Sequence, residues 1–123
     1  MQYLIMIYED AAAFARRTSP DAPQLFGAYR AYSEALQKAG VMVGGAPLQP
    51  PQTATTIKLR NGKRQVQDGP FAATKEALAG IFLLEVPDLD AAIGWAEKCP
   101  GAQWGVLEVR PTATAFVNGA WTR

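Results

Sequence analysis

A chain of 123 residues, 49% apolar and 19% charged, has the length and balance of a single soluble globular domain with a core of its own. Its 12 basic and 11 acidic residues leave a formal net charge of +1, so there is no electrostatic footprint for nucleic acid or an anionic membrane. The absence of histidine excludes imidazole acid/base work, Ser-His and Cys-His activation and histidine metal sites, and one cysteine excludes an internal disulfide.

The first residues are apolar without a basic leader or a small-residue cleavage site, and they are too few to cross a bilayer. Residues 3–8 therefore read as a strand, apolar on both faces. A polar loop at Glu9-Asp10, then alanines and Arg16-Arg17, lead to Ser19-Pro20-Asp21, which suit the start of a helix. Leu25, Ala28, Tyr29, Tyr32, Ala35, Leu36 and Ala39 recur at steps of three and four, and Gly40 closes that helix. A short strand from Val41 breaks at Gly44-Gly45 and at Pro47.

Residues 55–60, Asn61-Gly62 and residues 63–67 spell a type I′ hairpin that pairs Ile57 with Val66 and Lys58 with Gln65. Residues 80–86 are a second strand apolar on both faces. Asp88 then caps a helix with Leu89, Ala92, Ile93 and Ala96 as its inward stripe, ended by Pro100-Gly101. Residues 104–110 form the last core strand, with Leu107 and Val109 on one face and Val106, Glu108 and Arg110 on the other. Residues 1–111 make the domain. The tail, residues 112–123, carries Phe116, Val117 and Trp121 around Asn118-Gly119 and either frays or packs on a neighbouring subunit.

The order β-α-β-(hairpin)-β-α-β predicts an α+β ferredoxin-like sandwich, βαββαβ with an inserted hairpin, in which two helices cover one face of an antiparallel sheet. Two helices leave the other face bare. Leu4, Met6 and Tyr8 oppose Tyr3, Ile5 and Ile7, so an isologous homodimer through the sheet face is expected.

Without histidine, proton chemistry falls to Asp, Glu, Lys, Tyr or Cys99. The densest cluster is Asp68-Gly69-Pro70-Phe71 with Thr74-Lys75-Glu76. One reading has Asp68 capping a bend through the amide of Gly69 or Phe71, with Phe71 in the core. The other makes Asp68 a half-buried general acid or base, with Gly69, Pro70, Phe71, Thr74 and Lys75 around an anionic or carbonyl-bearing ligand. Tyr29 and Tyr32, one helical turn apart, are candidate ligand contacts. Glu9 and Asp10 read as surface loop and Cys99 as a small buried hydrophobe. Gly44-Gly45 lacks the setting of a phosphate loop, and no cofactor or metal is expected.

Several of these stretches together carry a family resemblance: Leu4-Ile5-Met6-Ile7-Tyr8, Gly40-Val41 with Gly44-Gly45, Asp68-Gly69-Pro70-Phe71 with Thr74-Lys75-Glu76, Trp95-Ala96 and Glu108-Val109-Arg110-Pro111. Over roughly residues 1–111 the chain resembles the YCII-related proteins of the branch named for its Asp-Gly-Pro-Phe motif. The resemblance implies a ferredoxin-like fold that dimerises as an α+β barrel in the bacterial cytoplasm, where one cysteine also suits the reducing conditions. For the wider family it implies enzymatic work through a His–Asp pair in a pocket. Asp68 matches the aspartate, no residue matches the histidine, and Tyr29, Tyr32 or Lys75 stands in as proton partner. It further implies a setting beside extracytoplasmic-function sigma factors. Two functions follow: a small dimeric acid/base enzyme with a small-molecule pocket near Asp68, or a non-catalytic ligand- or partner-binding regulatory module.

Overall fold

The structure, a computed structural model, describes residues 1–122. Along the chain run β1 (Gln2–Glu9), α1 (Ala11–Ala15), α2 (Ala22–Lys38), β2 (Met42–Pro47), β3 (Thr55–Arg60), β4 (Lys63–Asp68), β5 (Ala77–Glu85), α3 (Leu89–Lys98) and β6 (Val106–Pro111). A short hairpin, β7 (Phe116–Val117) and β8 (Ala120–Trp121), follows. Four strands form one antiparallel sheet in the order β2-β5-β1-β6, the ferredoxin-like topology, with β1 and β5 at its centre.

Side-chain alternation sorts this sheet into two unlike faces. Tyr3, Ile5 and Ile7 of β1 are 4%, 0% and 3% exposed and pack with Phe82 and Leu84 of β5. Tyr32 and Leu36 of α2 and Ala92 and Ala96 of α3 close over them. The opposite face, Leu4, Met6 and Tyr8 beside Leu83, Ile81 and Leu78, has no helix on it and is half-buried in the single chain. Burial of both faces of β1 within one chain is therefore not seen.

Helix ends follow the local chemistry. Asp88 accepts the Ala91 amide at 2.9 Å and starts α3, a cap worth about 1 kcal/mol. At the end of α2, Gly40 takes φ +75°, and Val41 and Gly40 donate to the Leu36 and Gln37 carbonyls, the paired bonds of a Schellman motif. The alanine run that leads toward α2 is itself helical: the Asp10 carboxylate accepts from Ala13 at 2.9 Å and nucleates α1. In α3 the inward stripe is narrower than its periodicity suggested. Ala92 and Ala96 are buried, but Leu89 and Ile93 are 47% and 41% exposed, because a ten-residue helix on the sheet buries only its small-residue seam.

The predicted hairpin forms in the predicted register, with Ile57 opposite Val66 and Lys58 opposite Gln65 around Asn61 (φ 52°) and Gly62 (φ 75°). Its strands pair only with each other, so it is an arm beside the main sheet. The tail forms a second hairpin around Asn118 and Gly119 and is tied to β1, where Thr112 donates to the Gln2 carbonyl at 3.0 Å.

Candidate functional site

A cavity of about 860 Å³ opens on the helix side of the sheet, between the end of β1, α1, the first half of α2 and the β2–β5 edge. Small residues keep it open. Gly45 and Ala46 of β2 and Ala79 and Gly80 of β5 line it, and a Cβ on Gly45 would meet the Phe82 ring and the Ile81 carbonyl at 2.8 Å. Phe14, Leu25, Phe26, Met42 and Phe82 supply apolar walls, and its volume lies within the range of pockets for small organic molecules.

Glu9 is the charged group set most deeply in this wall, 5% exposed at the last position of β1. The Trp104 indole donates to its Oε2 at 2.6 Å. The Arg17 guanidinium lies 3.7 Å from Oε1, an ion-pair contact too long for a hydrogen bond. Both guanidinium ends are otherwise engaged, one nitrogen bonding the Leu48 carbonyl and the other the Ala79 carbonyl at 3.0 Å. Arg17 also lies 4.7 Å from the Phe14 ring centre, and Arg16 stacks 4.5 Å over Trp104. A carboxylate this buried costs free energy unless such partners hold it, so three elements are spent on its placement.

Tyr29 of α2 lines the same cavity. Burial first, then the neighbouring Cys99 and Glu9, push its phenol well above the ordinary tyrosine value, so it stays protonated. The Cys99 thiol, 1% exposed, is raised chiefly by burial and points its S–H at the phenol oxygen from 4.0 Å. Gly101 makes room for the phenol: a Cβ there would lie 2.7 Å from Tyr29 Oη, with Glu9 Oε2 in ordinary contact at 4.0 Å. Gly105 is equally constrained, since a Cβ would meet the Tyr8 carbonyl at 2.4 Å.

The Asp68 corner divides between the cavity and the solvent. Thr74 and Lys75 line the cavity, Thr74 donating to the Glu76 carbonyl at 2.5 Å and Lys75 lying exposed. Asp68 is exposed at the base of the arm, opposite Thr55, and is not half-buried. Nor does it cap the bend: the Gly69 amide donates to the Ala54 carbonyl at 2.7 Å, and the Gly69 carbonyl accepts from Thr56 at 2.8 Å. Pro70 is half-buried outside the cavity wall, and Phe71 is 88% exposed rather than in the core. The arm carries Asp68 and Phe71 off the main sheet, where both stay exposed. Tyr32 does not line the main cavity. Burial and then Cys99 raise its phenol, which donates to the Trp95 carbonyl at 2.8 Å while its ring meets Phe82 edge-on. No group of three or more potential metal ligands occurs among the described residues.

Sequence reading missed Glu9 as a site residue, although the signal was there. Tyr3, Ile5 and Ile7 fix the inner face of β1, and the period of two puts Glu9 on that same face.

The comparison with family models agrees with the topology: the model described as YCII-related domain matches residues 1–114. The chain belongs to the YCII-related family. A curated relative of this YCII-related domain, an uncharacterized protein of Rhizobium meliloti (strain 1021), is 31% identical over 115 residues, covering 92% of this chain and 93% of its own. Among solved structures, the 5-chloro-2-hydroxyhydroquinone dehydrochlorinase of Burkholderia phenoliruptrix AC1100, in complex with 2,5-dihydroxybenzoquinone, is similar with a TM-score of 0.56 and 16% identity. That likeness covers 94% of this chain and 96% of the other, and it establishes a shared ferredoxin-like α+β fold for the YCII-related domain.

Proposed function

We propose that this YCII-related protein binds a small, largely apolar organic molecule in the cavity and that Glu9 exchanges a proton with it. The observation that carries the reading is a single one: a carboxylate only 5% exposed lies in the wall of a cavity of about 860 Å³. Buried carboxylates away from ligand sites are costly, whereas one held by an indole N–H and facing a cavity is placed for general acid/base work. Tyr29, protonated beside it, supplies a hydrogen bond to charge developing on a ligand oxygen. The similar solved structure is named a dehydrochlorinase, which supports an enzymatic role on this fold. Asp68, outside the cavity wall, takes no part in this chemistry. We further propose that the bare sheet face pairs with a second copy.

A thermal-shift metabolite screen on wild type, Glu9→Gln and Asp68→Asn tests the reading. A ligand that stabilises wild type and Asp68→Asn but not Glu9→Gln is the expected result. A ligand whose effect survives Glu9→Gln and vanishes in Asp68→Asn would return the site to the arm.

A further inference from the structure

We infer that the Glu9 end of the cavity selects an uncharged ligand carrying a hydroxyl beside a second oxygen, and discriminates against carboxylates and phosphates. This inference rests on the binding role proposed for the cavity and specifies its chemistry.

The polar atoms at that end form a complementary set. Glu9 Oε2 takes the Trp104 N–H, while among the described residues Oε1 has only the 3.7 Å ion-pair contact with Arg17 and no hydrogen bond. No fully buried side-chain oxygen or nitrogen lacks a partner among the described residues, so Oε1 is open to the cavity and wants a donor. Tyr29 presents the opposite need. Its only side-chain partner among the described residues is the Cys99 sulfur, a weak one at 4.0 Å, so its O–H is available to donate to a ligand oxygen. One acceptor and one donor, both in the cavity wall, match a hydroxyl and a neighbouring carbonyl or hydroxyl oxygen on a single ligand.

An anion finds no such match. Arg17 is the cation nearest Glu9, and both of its terminal nitrogens already bond backbone carbonyls while one also faces the carboxylate. A second negative charge placed beside Glu9 would be repelled in a poorly solvated site, where the Arg17 charge already offsets that of Glu9. Lys75, the other cation of the cavity wall, is exposed, where water weakens its hold on an anion. The remaining walls, Phe14, Leu25, Phe26 and Phe82 among them, fit an apolar body.

Titration calorimetry with two probes of one ring size, catechol and benzoate, near pH ~7 decides the matter, because catechol is then neutral and benzoate charged. Catechol is expected to bind wild type, with benzoate about tenfold weaker or worse. In Glu9→Gln, which keeps shape and removes the charge, the gap should close as benzoate gains relative to catechol. Benzoate binding wild type as well as catechol does, or better, overturns this selectivity while leaving a ligand-binding cavity in place. Failure of both probes at millimolar concentration overturns the selectivity and the binding role together.

Discussion

The Trp104 indole N–H donates to the Glu9 carboxylate at 2.6 Å across 95 residues of chain, tying the end of β1 to the turn that enters β6. Trp104 is half-buried and Glu9 is 5% exposed, so the bond is poorly replaced by water. Trp104→Phe keeps an aromatic face for Arg16 but removes the only hydrogen bond to Oε2 among the described residues. A loss of about 1–3 kcal/mol is expected from leaving this buried acceptor short of a donor. Urea denaturation should show it as a lower midpoint at unchanged slope. In Trp104→Phe combined with Glu9→Gln the loss should be smaller than the sum of the singles, because both changes act on one contact.

Gly101 and Tyr29 give a second, directional test. A Cβ at Gly101 would sit 2.7 Å from Tyr29 Oη and 3.0 Å from the Ile7 side chain, inside a buried turn. Gly101→Ala should cost about 1–3 kcal/mol through overpacking. Removing the phenol oxygen with Tyr29→Phe relieves the closer of the two clashes, so the double variant should recover part of that loss. Equal melting of Gly101→Ala with and without Tyr29→Phe would show that the phenol oxygen does not limit space there.

Alkaline pH should unfold the protein through the same cluster. The Tyr29 and Tyr32 phenols and the Cys99 thiol all have folded-state values above their ordinary ones of 10.0 and 9.0. Raised acids favour the neutral form in the fold, so their contribution is complete below the unfolded values and is lost progressively as pH rises from there through the higher folded values. Stability should therefore fall from about pH 9 upward, and Tyr29→Phe should flatten that decline. Equilibrium denaturation at a series of pH values measures both slopes. Cys99, 1% exposed, should also resist thiol reagents until the chain unfolds.

The elements were legible where local chemistry acts alone. Asn61-Gly62 set the hairpin register, Asp88 set the start of α3, and Gly40 set the end of α2, because each fixes its own few dihedral angles. The site was less legible because it is made by contacts across the chain. Trp104 reaches Glu9 over 95 residues and Cys99 reaches Tyr29 over 70, separations that no local pattern encodes. Asp68 drew attention through its turn chemistry, yet turn residues mark where a chain bends and not what it bends around. The position of Glu9, by contrast, followed from strand alternation once the inner face was known.

The bare face of the sheet yields the last prediction. Leu4 and Met6 lie at its centre beside Leu83 and Ile81, with Val106, 52% exposed, opposite Tyr8 and with Glu108 and Arg110 on the β6 side, and no helix among the described residues covers them. A second copy laid on this face by a two-fold axis would bury these residues against their own equivalents. Leu83→Lys would then place two ammonium groups near one another in a closed, apolar interface, at a desolvation cost that association cannot absorb. Sedimentation should show wild type as a dimer and Leu83→Lys as a monomer with the helix content of the folded chain. Because Leu83 points away from the helices, the change leaves the inner core of Ile5, Leu36 and Leu84 intact, and a folded monomer is the outcome that separates lost pairing from lost folding.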